Sequence, residues 1–325
     1  MSSDPSSATT RASGPRFSVV VPAFNAATTI ASTIASVLFQ TDADFELIVV
    51  DDGSTDTTAE RVTQVGDPRV RLVSQPNQGL PAARNSGIAA SHGTYVSFLD
   101  SDDLWLPDYL EHVRRAMTSS VDIGFAYTDA YAFEAGTGRV RRQSAMVGGR
   151  PPIPPPNDRN AFLLELLKRN FVYVSATVPR SVLDAVGGFD ETRTASEDYD
   201  LWLRIVIKGY RAVHIPGRHA LYRLHPGQMS RDEANLKRNE LAVYSGLSID
   251  DMPTAAHRAL LARRRREAQR DVRLAEGDAV LAAAVRRLRD RLGAQRQRLG
   301  LGGSYAWCHA TPPEVAAAFP DLTRV

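Results

Sequence analysis

Three carboxylates within four positions, Asp100, Asp102 and Asp103, with Ser101 among them, follow directly on the apolar run Tyr95-Val96-Ser97-Phe98-Leu99. Crowded carboxylates repel one another and resist desolvation, so a shared cation is what stabilises such a group. A divalent metal holding a phosphate fits that requirement. The apolar run reads as a buried strand, and ligands in open α/β sheets gather at the carboxyl ends of strands. The alternative is an acidic turn ahead of a helix that starts near Pro107.

A second pair, Asp51-Asp52, also closes an apolar run and stands directly before Gly53-Ser54. A carboxylate there can accept hydrogen bonds from a nucleobase N–H or from ribose hydroxyls, and Gly53 permits close backbone approach. An Asx-type turn leading into the next helix explains Asp51 equally well. The segment Asn77-Gln78-Gly79-Leu80-Pro81-Ala82-Ala83-Arg84-Asn85 opens a helix with glycine and proline. It carries Arg84 in its first turns, where a guanidinium and free backbone N–H groups suit a diphosphate; a salt-bridge role is the alternative.

These groups need a scaffold that brings strand ends together. Residues 17–22 form a continuous apolar run closed by Pro22, as expected of a central parallel strand covered on both faces. Ile30, Ile34, Val37 and Leu38 mark a helix over 29–39, and 45–50 a second strand ending at Asp51. A helix over 57–65, a strand over 70–74, a helix over 79–91 and the strand at 95–99 continue the alternation. Four strands alternating with three helices predict a doubly wound, largely parallel α/β sheet. The second half changes character: 123–133 and 139–142 flank Gly136-Thr137-Gly138 as an antiparallel hairpin. A long proline-rich loop follows, then a strand over 171–178, a helix over 197–208 and two short strands at 212–215 and 219–224.

From residue 231 the pattern is helical, over about 232–245, 254–275 and 279–297, with Gly277 and Asp278 as the cap pair between the last two. Leu274, Leu281, Val285, Leu288, Leu292 and Leu299 form an apolar seam for packing on the body or on a second subunit. Arg263, Arg264, Arg265, Arg266, Arg286, Arg287, Arg289 and Arg291 give a basic face suited to anionic lipid or simply to solvent.

The chain has 325 residues, 43% hydrophobic and 23% charged, with a formal net charge of +2, which leaves room for one large domain and an appendage and demands no nucleic-acid partner. A single cysteine, Cys308, excludes an intrachain disulfide framework and a cysteine-based zinc cluster. No apolar run reaches membrane-spanning length, and residues 1–16 read as a polar disordered arm rather than a signal peptide. A cytoplasmic home, with peripheral contact at the inner face of the membrane, is the expectation.

Val20-Val21-Pro22-Ala23-Phe24-Asn25, Val49-Val50-Asp51-Asp52-Gly53-Ser54, the 77–85 segment and Phe98-Leu99-Asp100-Ser101-Asp102-Asp103 together resemble family 2 glycosyltransferases, in order and in spacing. The similarity continues through Gly187-Gly188-Phe189-Asp190-Glu191 and Ser196-Glu197-Asp198-Tyr199-Asp200-Leu201-Trp202, and so covers 17–230. Around Ala23 and Phe24 the chain departs from the family's usual residues. The resemblance implies a GT-A fold, a Rossmann-like α/β architecture whose mixed, mostly parallel sheet is flanked by helices, followed here by a C-terminal helical appendage over 231–325. It implies a nucleotide-binding half over 17–117 and an acceptor half over 118–230.

It further implies an inverting transfer of a sugar from a nucleoside diphosphate donor, with uridine as the default base, to an acceptor hydroxyl on a saccharide, a lipid-linked compound or a small molecule. By position, Pro22, Ala23 and Asn25 would line the nucleoside pocket, Asp52 would hold the base, Gly79, Arg84 and Ser101 would serve the rest of the nucleotide, and Asp100 would contact the ribose or the metal's water shell. Asp102 would bind Mn2+ or Mg2+, with His225 either completing the metal shell or structural. Asp198 matches the family's base and Glu197 would orient acceptor or sugar hydroxyls; complementing a helix dipole is their plainer role. A sugar nucleotidyltransferase and a non-catalytic nucleotide-sugar-binding scaffold of the same fold are the competing functions.

Overall fold

A computed structural model describes residues 14–119, 122–135, 137–142, 144, 158–225, 228, 232–277 and 313–319. The apolar run at the start becomes β1 (Phe17–Ala23), every residue of which is buried. It lies between two parallel neighbours, β2 (Phe45–Asp52) and β4 (Tyr95–Phe98), and β3 (Val70–Gln75) extends the parallel set beyond β2. Helices α1 (Ile30–Leu38), α2 (Thr58–Thr63) and α3 (Leu80–Ala90) supply the crossovers. Helix α3 presses closely on the sheet: a Cβ at Gly87 would fall 2.3 Å from Val20.

The remaining strands are β5 (Leu104–Trp105), β6 (Ile123–Glu134), β7 (Val140–Arg142), β8 (Ala176–Pro179) and β9 (Arg211–Leu224). The sheet order is β3-β2-β1-β4-β8-β6-β9-β5, with β7 paired to β6. Strand β8 runs antiparallel to both β4 and β6, and β6 runs parallel to β9. Around them lie α4 (Tyr109–Met117), α5 (Arg159–Lys168), α6 (Arg180–Val186) and α7 (Glu197–Lys208). Helices α8 (Glu233–Gly246), α9 (Ala255–Ala275) and α10 (Pro313–Ala318) complete the described elements.

The α/β reading of the first half and the hairpin of β6 and β7 both agree with the sequence. Three differences have physical causes. The two short strands expected around Pro216 are one strand, because the interruption is taken up as a bulge of that strand, β9, against β6: Tyr127 pairs with His214 and Asp129 with Arg218, and Gly217 sits at φ +104°. The strand expected over 171–178 shrinks to Ala176–Pro179; residues Phe171, Val172, Tyr173 and Val174 are buried as a strand's would be, without ladder partners. Helix α5 lies in a stretch assigned to loop; its cap is Asp158, whose carboxylate accepts the Ala161 N–H at 2.8 Å.

The core does not end at residue 230. Val243, Tyr244, Leu247, Met252, Leu261 and Ala268, from α8, α9 and the turn between them, belong to the same buried cluster as the sheet. The Tyr244 hydroxyl lies 3.0 Å from that of Tyr199, and His257 Nε2 meets the Asn160 carbonyl at 3.0 Å. Much of the basic run on α9 is held within the protein: Arg264 pairs with Glu240 at 2.9 Å, Arg263 with Glu267 at 2.7 Å, and Arg265 donates to the Tyr244 carbonyl at 2.8 Å. Gly277, at φ +98°, ends α9 as expected. Asp278, the seam from Leu281 to Leu299, the second arginine cluster and Cys308 lie outside the described residues. Among the described residues no helix is long and apolar enough to cross a membrane.

Candidate active site

Strand β4 ends at Phe98, and the chain turns at once through Asp100, Ser101, Asp102 and Asp103. Thr33 on α1 fixes this turn, its hydroxyl donating to the carbonyls of Ser101 and Asp103 at 2.9 Å each. The three carboxylates place oxygens within 4.8 Å of one another. They are not equivalent. Asp103 is wholly buried, accepting the Tyr173 hydroxyl and the Arg223 backbone N–H, the latter at 2.8 Å. Burial, then the charges of Asp102 and Asp100, hold its carboxyl well above the usual range. Asp103 is therefore a supporting group.

Asp100 and Asp102 stay accessible, with side chains 28% and 31% exposed. Burial and the Asp100 charge raise the Asp102 carboxyl, while His225 opposes the shift. His225 Nε2 sits 2.8 Å from Asp102 Oδ2, so β9 delivers an imidazole to the carboxylate that the β4 turn presents. Two carboxylates and an imidazole form a donor set suited to Mn2+ or Mg2+, and the mutual repulsion that raises Asp102 is what a cation would relieve. Arg223 braces the turn, its Nε donating to the Asp102 carbonyl at 2.5 Å.

Arg84 makes salt bridges, as the alternative reading had it, but buried ones: it is 1% exposed, with Nη2 on Asp100 Oδ1 at 2.7 Å and Nη1 on Glu197 Oε1. Its guanidinium also lies 5.3 Å from the centre of the Phe189 ring. Burial alone would lower its affinity for a proton, but Asp100 and Glu197 keep it firmly charged. The guanidinium thus ties the end of β4 to the start of α7.

Helix α7 begins with Ser196 at φ +58°, an uncommon conformation for a residue with a side chain, followed by Glu197 and Asp198. Asp198 accepts its neighbour Tyr199's N–H at 2.6 Å and the Asn170 amide at 3.2 Å. Burial first, and the Glu197 charge second, push its carboxyl up to about 7 against the pull of Arg84. A carboxylate so placed is poised to exchange a proton near neutral pH. Asp200, two residues further along, pairs with Arg204 at 2.7 Å and anchors the helix start.

The expected nucleoside side is also assembled, with some groups already engaged. Asp52 accepts from Gln75 Nε2 at 2.7 Å, Gln78 N at 2.9 Å and Gly79 N at 2.8 Å. Both oxygens are thus committed to the turn before α3. Gly79 takes φ +90°, and a Cβ at Gly53 would come 2.7 Å from Asn77 N, so the two loops touch. Pro22 and Ala23 are buried in β1 opposite Val50 and Asp51. Asn25, at φ +50°, accepts from Thr55 N at 2.8 Å, and Phe24 beside it is 51% exposed. Asp51 caps the turn at Ser54 N, 3.1 Å away.

Sequence reasoning missed Asn170, Tyr173, Phe189 and Arg223 as contributors to this geometry. Phe189 lies in the Gly187 to Glu191 motif and Arg223 in the strand expected over 219–224, but their contacts are set by tertiary packing. No local pattern marks Asn170 or Tyr173.

The sequence model of glycosyl transferase family 2 matches residues 18–187, and that of glycosyl transferase family group 2 matches 165–308. The chain belongs to glycosyl transferase family 2. Among its relatives, the succinoglycan biosynthesis protein ExoO of Rhizobium meliloti is 33% identical over 220 residues, covering 67% of this chain and 63% of that protein. ExoU of the same organism is 31% identical over 256 residues, covering 74% of this chain and 72% of its own length. The Escherichia coli UDP-Glc:alpha-D-GlcNAc-diphosphoundecaprenol beta-1,3-glucosyltransferase WfaP is 28% identical over 219 residues, 66% of this chain and 80% of that one. In fold, the chain is similar to S. aureus TarS 1–349 in complex with UDP-GlcNAc, with a TM-score of 0.60 at 20% identity over 79% of this chain and 72% of that one. It is likewise similar to the mannosyltransferase PcManGT of Pyrobaculum calidifontis in complex with GDP-Man and Mn2+, with a TM-score of 0.59 at 20% identity over 90% and 82%. The GT-A architecture expected from the sequence is therefore the fold of this chain.

Proposed function

We propose that this protein transfers a sugar, with inversion, from a nucleoside diphosphate donor to an acceptor hydroxyl, and that Asp198 is the base. The observation that carries this reading is the Arg84 bridge, which holds Asp100 of the donor-side acidic turn and Glu197 of the α7 start to one guanidinium. The turn that carries Asp102 and the helix start that carries Asp198, the two sides such a displacement needs, thereby share one support. The acceptor oxygen forms its bond to the anomeric carbon as the bond to the diphosphate oxygen breaks; the electron pair leaves on the diphosphate and the acceptor proton passes to Asp198. Glu197 keeps the charge beside Asp198 that raises its carboxyl, and presents its remaining lone pairs to sugar hydroxyls.

Asp102 and His225, with Asp100 beside them, would hold Mn2+ or Mg2+. A bound cation there would stabilise the negative charge that develops on the leaving diphosphate. Arg84 acts through the carboxylates it holds rather than on the phosphates directly. Asp52 serves the nucleotide through the 75–79 turn it closes, and Phe24 offers an aromatic face at the end of β1, beside Asn25 and Pro22. Ser101 and Gly79 contribute backbone at the same edge. In this reading the donor half spans 17–117 and the acceptor half 118–230, with α8 and α9 as an integral buttress of the latter.

A UDP-sugar is the donor favoured by the name of WfaP, which also specifies a GlcNAc-diphosphoundecaprenol acceptor. Together with the succinoglycan link of ExoO, this favours a lipid-linked or growing saccharide acceptor and peripheral contact with the membrane that carries it. The test is incubation with a panel of nucleotide sugars, Mn2+ and candidate lipid-linked saccharides, reading nucleoside diphosphate release and glycosylated product. Pyrophosphate release from a nucleoside triphosphate and sugar phosphate would instead identify a nucleotidyltransferase. Tight nucleotide-sugar binding without turnover on any acceptor would identify a binding scaffold.

A further inference from the structure

Away from the acidic turn, Asp108, His112 and His219 bring one ligand atom each within 4.8 Å of the others. Asp108 is the N-cap residue of α4, yet its carboxylate makes none of the usual bonds to the helix N–H groups. An aspartate in that position ordinarily accepts such a bond. It turns instead to two imidazoles, with Oδ1 3.1 Å from His219 Nδ1 and Oδ2 3.3 Å from His112 Nε2. The rings face one another with centroids 4.1 Å apart.

The proton inventory of this cluster is awkward without a cation. His219 is 8% exposed, and its Nε2 lies 3.0 Å from the Pro216 carbonyl, which can only accept, so Nε2 carries the hydrogen. Nδ1 then aims a lone pair at a carboxylate oxygen unless it carries a second proton. His112 can meet Asp108 through a neutral Nε2–H, so the mismatch rests on His219 Nδ1. One divalent ion would resolve it by accepting the two imidazole lone pairs and the carboxylate at once. A histidine that ligates a metal through one nitrogen while donating the other N–H to a backbone carbonyl is the usual arrangement of a metal-bound imidazole. Gly217 keeps that arrangement open, since a Cβ there would fall 2.9 Å from His219 Nε2.

We propose that Asp108, His112 and His219 form a zinc site that clips the start of α4 to β9. Two nitrogens and one oxygen select a borderline metal such as Zn2+ over Mg2+ or Ca2+, with water completing the coordination. The site is separate from the donor-side carboxylates: His219 and His225 are six residues apart on and just beyond β9, about 20 Å along an extended strand. Its role is structural, because Leu106 N donates to the His219 carbonyl at 2.9 Å and the same β5–β9 pairing leads on to Asp103 and Arg223.

The test uses the full chain stripped with a chelator, titrated calorimetrically with Zn2+ in excess Mg2+, alongside His112→Ala, His219→Gln and Asp102→Asn. The expected result is one zinc equivalent in wild type and in Asp102→Asn, weakened by about 10²-fold or more in His112→Ala. Zinc should raise the Tm of wild type and leave that of His112→Ala unmoved. His112 is a third exposed, so the metal-free Tm of His112→Ala should match wild type and serve as the folding control. Zinc affinity equal in His112→Ala and wild type, no zinc-induced Tm shift, or zinc uptake lost only in Asp102→Asn would each overturn the proposal.

Discussion

The proposed base can be tested through its proton affinity. Burial and the Glu197 charge raise the Asp198 carboxyl from the ordinary aspartate range to about 7. Only the ionised form can accept the acceptor's proton, so activity must fall as pH drops through that value. With a midpoint near 7, about one-tenth of the enzyme is ionised at pH 6, and kcat/KM for the donor should lie about tenfold below its plateau near pH 8, with unit slope on the acid side. Glu197→Gln removes the like charge beside Asp198 and leaves Arg84 free to favour the ionised form. The acid limb should therefore move to lower pH, each unit corresponding to about 1.4 kcal/mol of altered interaction. Asp198→Asn should abolish the limb and lower turnover by about 10²- to 10⁴-fold while leaving nucleotide affinity nearly intact. The assay is initial-rate diphosphate release across buffers of constant ionic strength. A wild-type kcat/KM that changes by less than about twofold between pH 6 and 8 would refute the assignment, as would a limb unmoved in Glu197→Gln.

Asp102→Ala should make nucleoside diphosphate affinity independent of Mn2+, measured by calorimetry with and without EDTA; binding that never depended on metal in wild type would count against the cation assignment. Arg84→Met leaves Asp100 and Glu197 without their shared cation, and breaking a buried pair on one side costs about 3–5 kcal/mol, so denaturant unfolding should show a loss of that order together with loss of transfer. A chain ending at residue 230 uncovers the packing partners of Val243, Tyr244 and Leu261, each worth about 1.5–3 kcal/mol when buried. It should fail to give a cooperative thermal transition, whereas a chain ending at Gly277 should retain one.

The sequence revealed what is local in the fold and in the site. The acidic turn could be read because strand, turn and carboxylates lie in nine consecutive residues, 95–103, and the same holds for Ser196 through Asp198. The links between these segments could not be read. Arg84 finds Glu197 113 residues away, and Asp103 finds Tyr173 across 70, so whether a guanidinium faces a phosphate or two carboxylates is decided by packing. Residues 171–174 show the same limit: their apolar, β-branched and aromatic composition reports burial and predicts a strand, but the segment is held as irregular chain while the adjacent Asn170 amide meets Asp198. Pro216-Gly217 read as a strand break because both residues punctuate structure; a bulge against β6 absorbs them without ending the strand. Helix α5 did carry a signal, an Asp cap followed by Phe162, Leu163, Leu166 and Leu167 on one face, hidden behind the proline-rich stretch before it.

The Arg84 bridge also couples the state of the donor side to the base. Asp198 has its raised proton affinity partly because Glu197 is charged beside it, and Arg84 tempers that effect while shared with Asp100. A cation bound with the donor at Asp100 and Asp102 would compete with Arg84 for the Asp100 carboxylate. The guanidinium's charge would then act more fully on Glu197 and Asp198, and the Asp198 carboxyl would lose its proton more readily. The acid limb of kcat, which reports the loaded enzyme, should accordingly lie at lower pH than the limb of kcat/KM for the donor, which reports the free enzyme. The order of the two limbs decides the matter: coincident limbs would mean that the bridge holds the geometry without passing charge across it, and a kcat limb at higher pH would mean that donor binding desolvates Asp198 more than it recruits Arg84.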